Sequence, residues 1–317
     1  MTLPDTTPRA LVKTLPDPVR DIAAMVLDQI QHGYFQRSMA LLVAGSSLVS
    51  TIEVGYEHYK GSYSNPVMYT PVTLGAALTL ASTVGVFSRR VATTWMRWLS
   101  YTTLVDGAVG FCFHIRGVAR KPGGWRMPVT NVVMGPPLFA PLLFGTSAYL
   151  GVIASYLQRE EDYGNVRSRI VEMTTRLHKQ DFRDDIRTGR FQKHLCVVAA
   201  VWTVCSGMES WYSHYKDNFK YKVQWSPILL TPLMLIATLG SLRSKRLANT
   251  ALPAVSATLM LDGVVGFGYH IRGILRRSGG KKKPLYNILY GPPIFAPLLV
   301  AACGLLGMMA YLMRRER

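Results

Sequence analysis

Apolar residues along this chain come in long runs broken by short polar stretches. The runs cover 38–52, 67–87, 93–105, 135–157, 194–208, 227–242, 251–261 and 291–313. With their flanks they give eight segments of roughly 17–23 residues, the length that crosses a hydrocarbon core. They lack the polar face that a helix on the surface of a soluble protein carries. The pattern predicts an all-α integral membrane protein of eight transmembrane helices.

The pattern also repeats. With no gap, adding 156 maps Glu53 onto Glu209, His58 onto His214, Pro71 onto Pro227, Asp106 onto Asp262 and Asn131 onto Asn287. Gly135-Pro136-Pro137 meets Gly291-Pro292-Pro293 in the same register. Identical polar residues inside matching apolar runs point to two tandem four-helix repeats. An even number of helices per unit gives both units one orientation, unlike the inverted repeats of many transporters. The expected organisation is a cytoplasmic N-terminal segment with a short surface helix (1–37), a first membrane repeat (38–158), a charged cytoplasmic linker (159–193) and a second membrane repeat (194–317). The last helix of the first repeat is expected to start at Gly135 and to kink at Pro141.

Composition agrees with the pattern. The chain of 317 residues is 49% hydrophobic and 17% charged, where soluble domains carry about 25% charge. The first 37 residues are polar and proline-rich, so no cleavable signal peptide is expected. The four cysteines lie in or beside apolar runs with no CxxC pair, which reads as buried free thiols. A net charge of +18 comes with no nucleic-acid reading motif, so basic flanks facing anionic lipid are the simpler account. By this topology 22 Lys and Arg fall on the side of both termini and 14 on the other. The positive-inside tendency then makes both termini cytoplasmic in a multi-pass protein of the inner membrane.

The chemistry concentrates in one stretch written twice, Asp106 to Gly117 and Asp262 to Gly273, identical at nine of twelve positions. Its histidines, His114 and His270, end the third helix of each repeat. His58 and His214 end the first helix. The two helices run the same way, so each repeat brings two histidines to one membrane face at similar depth. That arrangement can clamp a haem iron from both sides, with His58 facing His114 and His214 facing His270, or with the pairs swapped across the pseudo-two-fold. Gly107, Gly110 and His114 share a helical face, as do Gly263, Gly266 and His270. A face without side chains leaves room for a macrocycle, and equally lets helices approach closely. Arg116, Arg272, Lys60 and Lys216 each follow a histidine by two residues. They would pair with haem propionates, or serve as ordinary basic flanks.

Four acids lie within the apolar runs. Glu53 and Glu209 sit about 7 Å deeper than the first-helix histidines, and Asp106 and Asp262 about 12 Å deeper than the third-helix ones. Intramembrane acids are costly and are functional candidates by default. They are candidates for handling a quinone's protons, for ligating a metal, or for structural hydrogen bonds.

These residues lead to one expectation and its rivals. The first is a membrane electron-transfer subunit, linking an extramembrane redox partner protein to quinone through one or two haem b groups. The others are an ion-coupled transporter or channel using the acids, a non-haem metal oxidoreductase, and a plain membrane anchor. The general plan resembles that of membrane b-type cytochromes. Those with two haems place them at opposite faces, whereas here both histidine pairs fall at one face. No phosphate loop, Ser/His/Asp constellation or dinucleotide-binding glycine motif is present.

Overall fold

The computed structural model describes residues 35–157 and 190–312, with a few isolated positions nearer the N-terminus. The surface helix expected in 1–37 and most of the 159–193 linker lie outside the described residues. The described residues are helical, with no strand among them. We number the helices α1 (Gln36–Lys60), α2 (Thr70–Phe87), α3 (Arg89–Thr93), α4 (Trp95–Ala119), α5 (Pro128–Val133), α6 (Ala140–Tyr156), α7 (Arg190–Lys216), α8 (Ser226–Ser241), α9 (Lys245–Asn249), α10 (Ala251–Leu275), α11 (Pro284–Leu289) and α12 (Ala296–Leu312). The bounds of α3, α4, α5 and α6 recur at α9, α10, α11 and α12 with an offset of 156.

Five stretches are long and apolar enough to cross a membrane: Gln36–Lys60, Pro66–Phe87, Gln192–Lys216, Lys222–Ser241 and Ala251–Leu275. The apolar helices α6 and α12 have 17 residues each and rise only about 25 Å. α4 has 25 residues, but its first turn holds Trp95, Arg97 and Trp98 where α10 has Ala251, Pro253 and Ala254. Large apolar side chains point outward, among them Leu41, Leu80, Phe87, Val105, Ile236 and Leu261. An apolar exterior of this extent is consistent with contact to a lipid bilayer.

Helix α6 corrects one expectation. Gly135, Pro136 and Pro137 do not open the helix. Proline lacks an N–H and pushes the preceding residue out of helical geometry, so the chain stays irregular until Ala140. Pro141 therefore lies in the first turn, where its missing N–H costs nothing, and does not act as a kink.

Each half packs as a square. The packed pairs are α1–α2, α2–α4, α4–α6 and α6–α1, and in the second half α7–α8, α8–α10, α10–α12 and α12–α7. α1 and α4 thus stand on a diagonal, as do α7 and α10. The halves meet where α7 packs on α6, and one buried core runs through both, including Met39, Leu78 and Met96 with Leu195, Leu252 and Leu306.

The glycines of the duplicated stretch make the α4–α6 and α10–α12 contacts. A Cβ on Gly107 would lie 2.7 Å from the Pro141 carbonyl oxygen, and one on Gly110 would lie 3.1 Å from Pro141 Cβ. A Cβ on Gly263 would lie 2.5 Å from both Ala301 N and Pro297 O, and one on Gly266 would lie 3.1 Å from Pro297 Cβ. The space beside these glycines is filled by the start of the neighbouring helix. Gly263→Ala is expected to destabilise the bundle by about 1–3 kcal/mol through overpacking. Thermal unfolding in detergent measures this. Gly268→Ala, where a Cβ meets nothing within 4 Å, is the control and should unfold like the parent.

Candidate functional site

The mouth of each bundle is closed by the loop after its first helix. In the first bundle Ser62 and Tyr63 both take positive φ, 57° and 44°, and in the second Asn218 and Phe219 do the same at 52° and 48°. This sharp reversal folds the loop back over the helix end. Tyr63 stacks on Tyr69 with ring centres 4.2 Å apart, and its hydroxyl donates to the Gly55 carbonyl. Phe219 stacks on Trp225 at 4.1 Å. Each stacked pair walls one side of a first-helix histidine: Tyr63 lies edge-on to His58 at 6.1 Å, and Phe219 lies 6.5 Å from His214.

Three of the four duplicated histidines are held by backbone carbonyls. His58 Nδ1 lies 2.6 Å from Met68 O, His114 Nδ1 lies 2.5 Å from Pro137 O, and His270 Nδ1 lies 2.6 Å from Pro293 O. A carbonyl oxygen only accepts, so Nδ1 carries the proton in each case. The lone pair of the neutral ring is then on Nε2. This is the usual outer-shell arrangement of a metal-ligating histidine.

The structure brings one histidine pair into ring contact. His214 and His270 have ring centres 6.5 Å apart with planes at 87°. His58 and His114 lie within electrostatic range of each other. Two imidazoles on opposite sides of one metal, each at about 2.0–2.1 Å, have ring centres about 6 Å apart. The four histidines come from the diagonal helices of the two squares, which face each other across a bundle interior. Among the described residues no three His, Cys, Asp or Glu side chains converge on a point that could hold a metal. The donor set is therefore two imidazoles per bundle. The glycines, packed against Pro141 and Pro297, do not form the expected cradle.

The basic flanks divide. Arg116 and Arg272 are exposed one half-turn beyond the histidines. Lys60 bonds to Glu57 at 2.6 Å and lies 5.4 Å above the Tyr56 ring. Lys216 lies 5.9 Å above the Tyr212 ring.

The acids have structural partners. Glu209 accepts the Phe139 N–H, and the Tyr212 hydroxyl accepts the Leu138 N–H at 3.1 Å. In the reverse direction Glu53 accepts the Phe295 N–H at 3.0 Å, and the Tyr56 hydroxyl accepts the Ile294 N–H at 3.2 Å. Each glutamate on the first helix of one bundle thus caps the last helix of the other. Such capping answers the need of irregular backbone at membrane depth for internal partners, and it places a carboxyl at the positive end of a helix. Asp106 accepts from the Thr70 hydroxyl at 2.6 Å, and Asp262 pairs with Ser226, the matching residue. These bonds pin α4 and α10 to the starts of α2 and α8.

Tyr56 and Tyr212 join the site only through the structure. A signal was there: each follows its glutamate by three residues, on one helical face, in both copies. The thiols are as expected in part: Cys196, Cys205 and Cys303 are buried and free, while Cys112 is exposed. No protein-family model matches this chain, and neither does any curated protein or solved structure.

Proposed function

We propose that the chain is a membrane electron-transfer subunit that binds haem b between the paired histidines of each bundle. The observation that carries this reading is the contact of the His214 and His270 rings, 6.5 Å between centres, with the His270 Nδ1–H fixed on the Pro293 carbonyl. His58 with His114 and His214 with His270 would hold the haem. Haem, when bound, supplies one-electron redox chemistry. The chain's part is to hold the rings, exclude water with the stacked aromatic pairs, and place charge at the mouth. Arg116 and Arg272, exposed and about half a turn from the histidines, serve as basic flanks.

Both bundles are read as four-helix membrane repeats in one orientation, making eight spans. The irregular segments before α6 and α12 complete the crossing that those short helices begin. The termini are then cytoplasmic, in an inner membrane. The histidine mouths open on the other face, where the loops and helix ends hold 14 Lys and Arg against two surface acids, Glu57 and Asp217. A rim of that charge suits an acidic redox partner protein, with quinone as the partner inside the membrane.

The interrupted starts of α6 and α12 are the feature that favours a transporter, since broken helices form substrate sites in such proteins. Here Glu209 and Glu53 already occupy those helix starts, which ranks that reading second. Hemin titration of the detergent-solubilised chain tests the proposal. Saturation at two hemins per chain supports it, and absence of binding overturns it.

A further inference from the structure

The two histidine pairs are joined through single peptide groups. The carbonyl of Pro137 accepts the His114 Nδ1–H, and the N–H of the same peptide unit, on Leu138, donates to the Tyr212 hydroxyl. His114 belongs to the first bundle. Tyr212 belongs to the second and stands two residues before His214 on α7. The arrangement recurs with the roles exchanged. The carbonyl of Pro293 accepts the His270 Nδ1–H, and the Ile294 N–H of that peptide donates to the Tyr56 hydroxyl, two residues before His58 on α1.

A peptide group is planar and rigid. Its oxygen and its N–H cannot move independently, so a shift at the tyrosine rotates the carbonyl that holds the histidine. Serial hydrogen bonds also polarise one another in a low-dielectric interior. The glutamates fix the next peptide along the chain, at Phe139 and Phe295. Tyr56 in turn bonds to Glu53. A continuous path runs from Glu53 through Tyr56 and the Pro293–Ile294 peptide to His270. A matching path runs from Tyr212 through the Pro137–Leu138 peptide to His114.

We propose that Tyr212 and Glu209 are positioning residues for His114, and Tyr56 and Glu53 for His270, so that each bundle orients a ligand histidine of the other. The interest of this coupling rests on the reading of these histidines as haem ligands. Its geometry and its test do not. Each pair is thereby tied to the helix that carries the other pair's first histidine. A change at one mouth reaches the other through one peptide plane, without passing through the shared core.

The test uses the full chain with [15N]histidine in detergent, without haem. Imidazole nitrogen and ring-proton signals are assigned by single His→Gln variants. Tyr212→Phe is expected to shift His114, with its Nδ1 losing the sharp protonated-tautomer signature, and to leave His270 unmoved. Tyr56→Phe is expected to do the opposite. Glu209→Ala should displace His114 as Tyr212→Phe does, and Glu209→Gln, which keeps an acceptor, should return it towards the parent position. If Tyr212→Phe leaves His114 in place, or moves His114 and His270 alike as general loosening would, the proposal is overturned. These phenylalanine variants remove one oxygen each, so they report on a folded chain. A failed hemin titration leaves this result standing, and a failed shift leaves the haem reading standing.

Discussion

Glu209→Ala is expected to lower the stability of the folded chain by about 3 kcal/mol, the cost of leaving buried N–H groups without an acceptor. Two such groups depend on it, on Phe139 and Ala140 at the start of α6. In a soluble protein water could replace the carboxyl. Beneath a membrane surface it cannot, and each unsatisfied backbone group keeps its full cost. Glu53→Ala acts in the same way on α12, through Phe295. Because the two caps bond different helices, α6 and α12, the double variant should lose nearly the sum of the single losses. Glu209→Gln keeps a carbonyl oxygen and should lose about 1 kcal/mol or less. Unfolding in mixed micelles, followed by helical circular dichroism, measures all four. Parental stability in Glu209→Ala would mean that this carboxyl does not cap α6 in the folded protein.

The second large effect concerns haem. On the proposed reading His58→Ala removes one of the first bundle's two imidazoles, and its hemin titration should saturate at one tight site instead of two, the other weaker by about 10-fold or more. His214→Ala should do the same in the second bundle. The double variant should retain no six-coordinate haem. His214 is the cleanest target, since the Nδ1–H groups of His58, His114 and His270 also satisfy the Met68, Pro137 and Pro293 carbonyls. Titrations that match the parent in the double variant would place the haem elsewhere or exclude it.

Much of the helix content was readable from the spacing of apolar runs, because a long helix in lipid must be apolar nearly all round. The repeat was readable because polar residues recur at one offset. The start of α6 was not. Three residues, Gly135, Pro136 and Pro137, fit both a helix opening and an extended lead, and the choice depends on whether something else satisfies the following N–H groups. That something is Glu209, 70 residues away. No local pattern announces a partner at that distance in the other half of the chain.

The site divides along the same line. Helix direction puts all four histidines at one face, and the structure adds that His214 meets His270. The glycine face did not resolve, since bare backbone accepts a macrocycle or a neighbouring helix equally well; Pro141 and Pro297 occupy it. The acids carried the strongest default for function and prove to have hydrogen-bond partners at helix starts. Their identity was legible, and their partners, Phe139, Phe295, Thr70 and Ser226, were not.

The measurement that bears most directly on the proposed function is the visible absorption spectrum of the chain purified from cells supplied with haem precursor, before and after dithionite. The expected result is a Soret band that sharpens and shifts on reduction, with the resolved α-band of low-spin iron, at up to two haems per chain. A colourless protein, or one whose haem is high-spin and washes out in detergent, would contradict it.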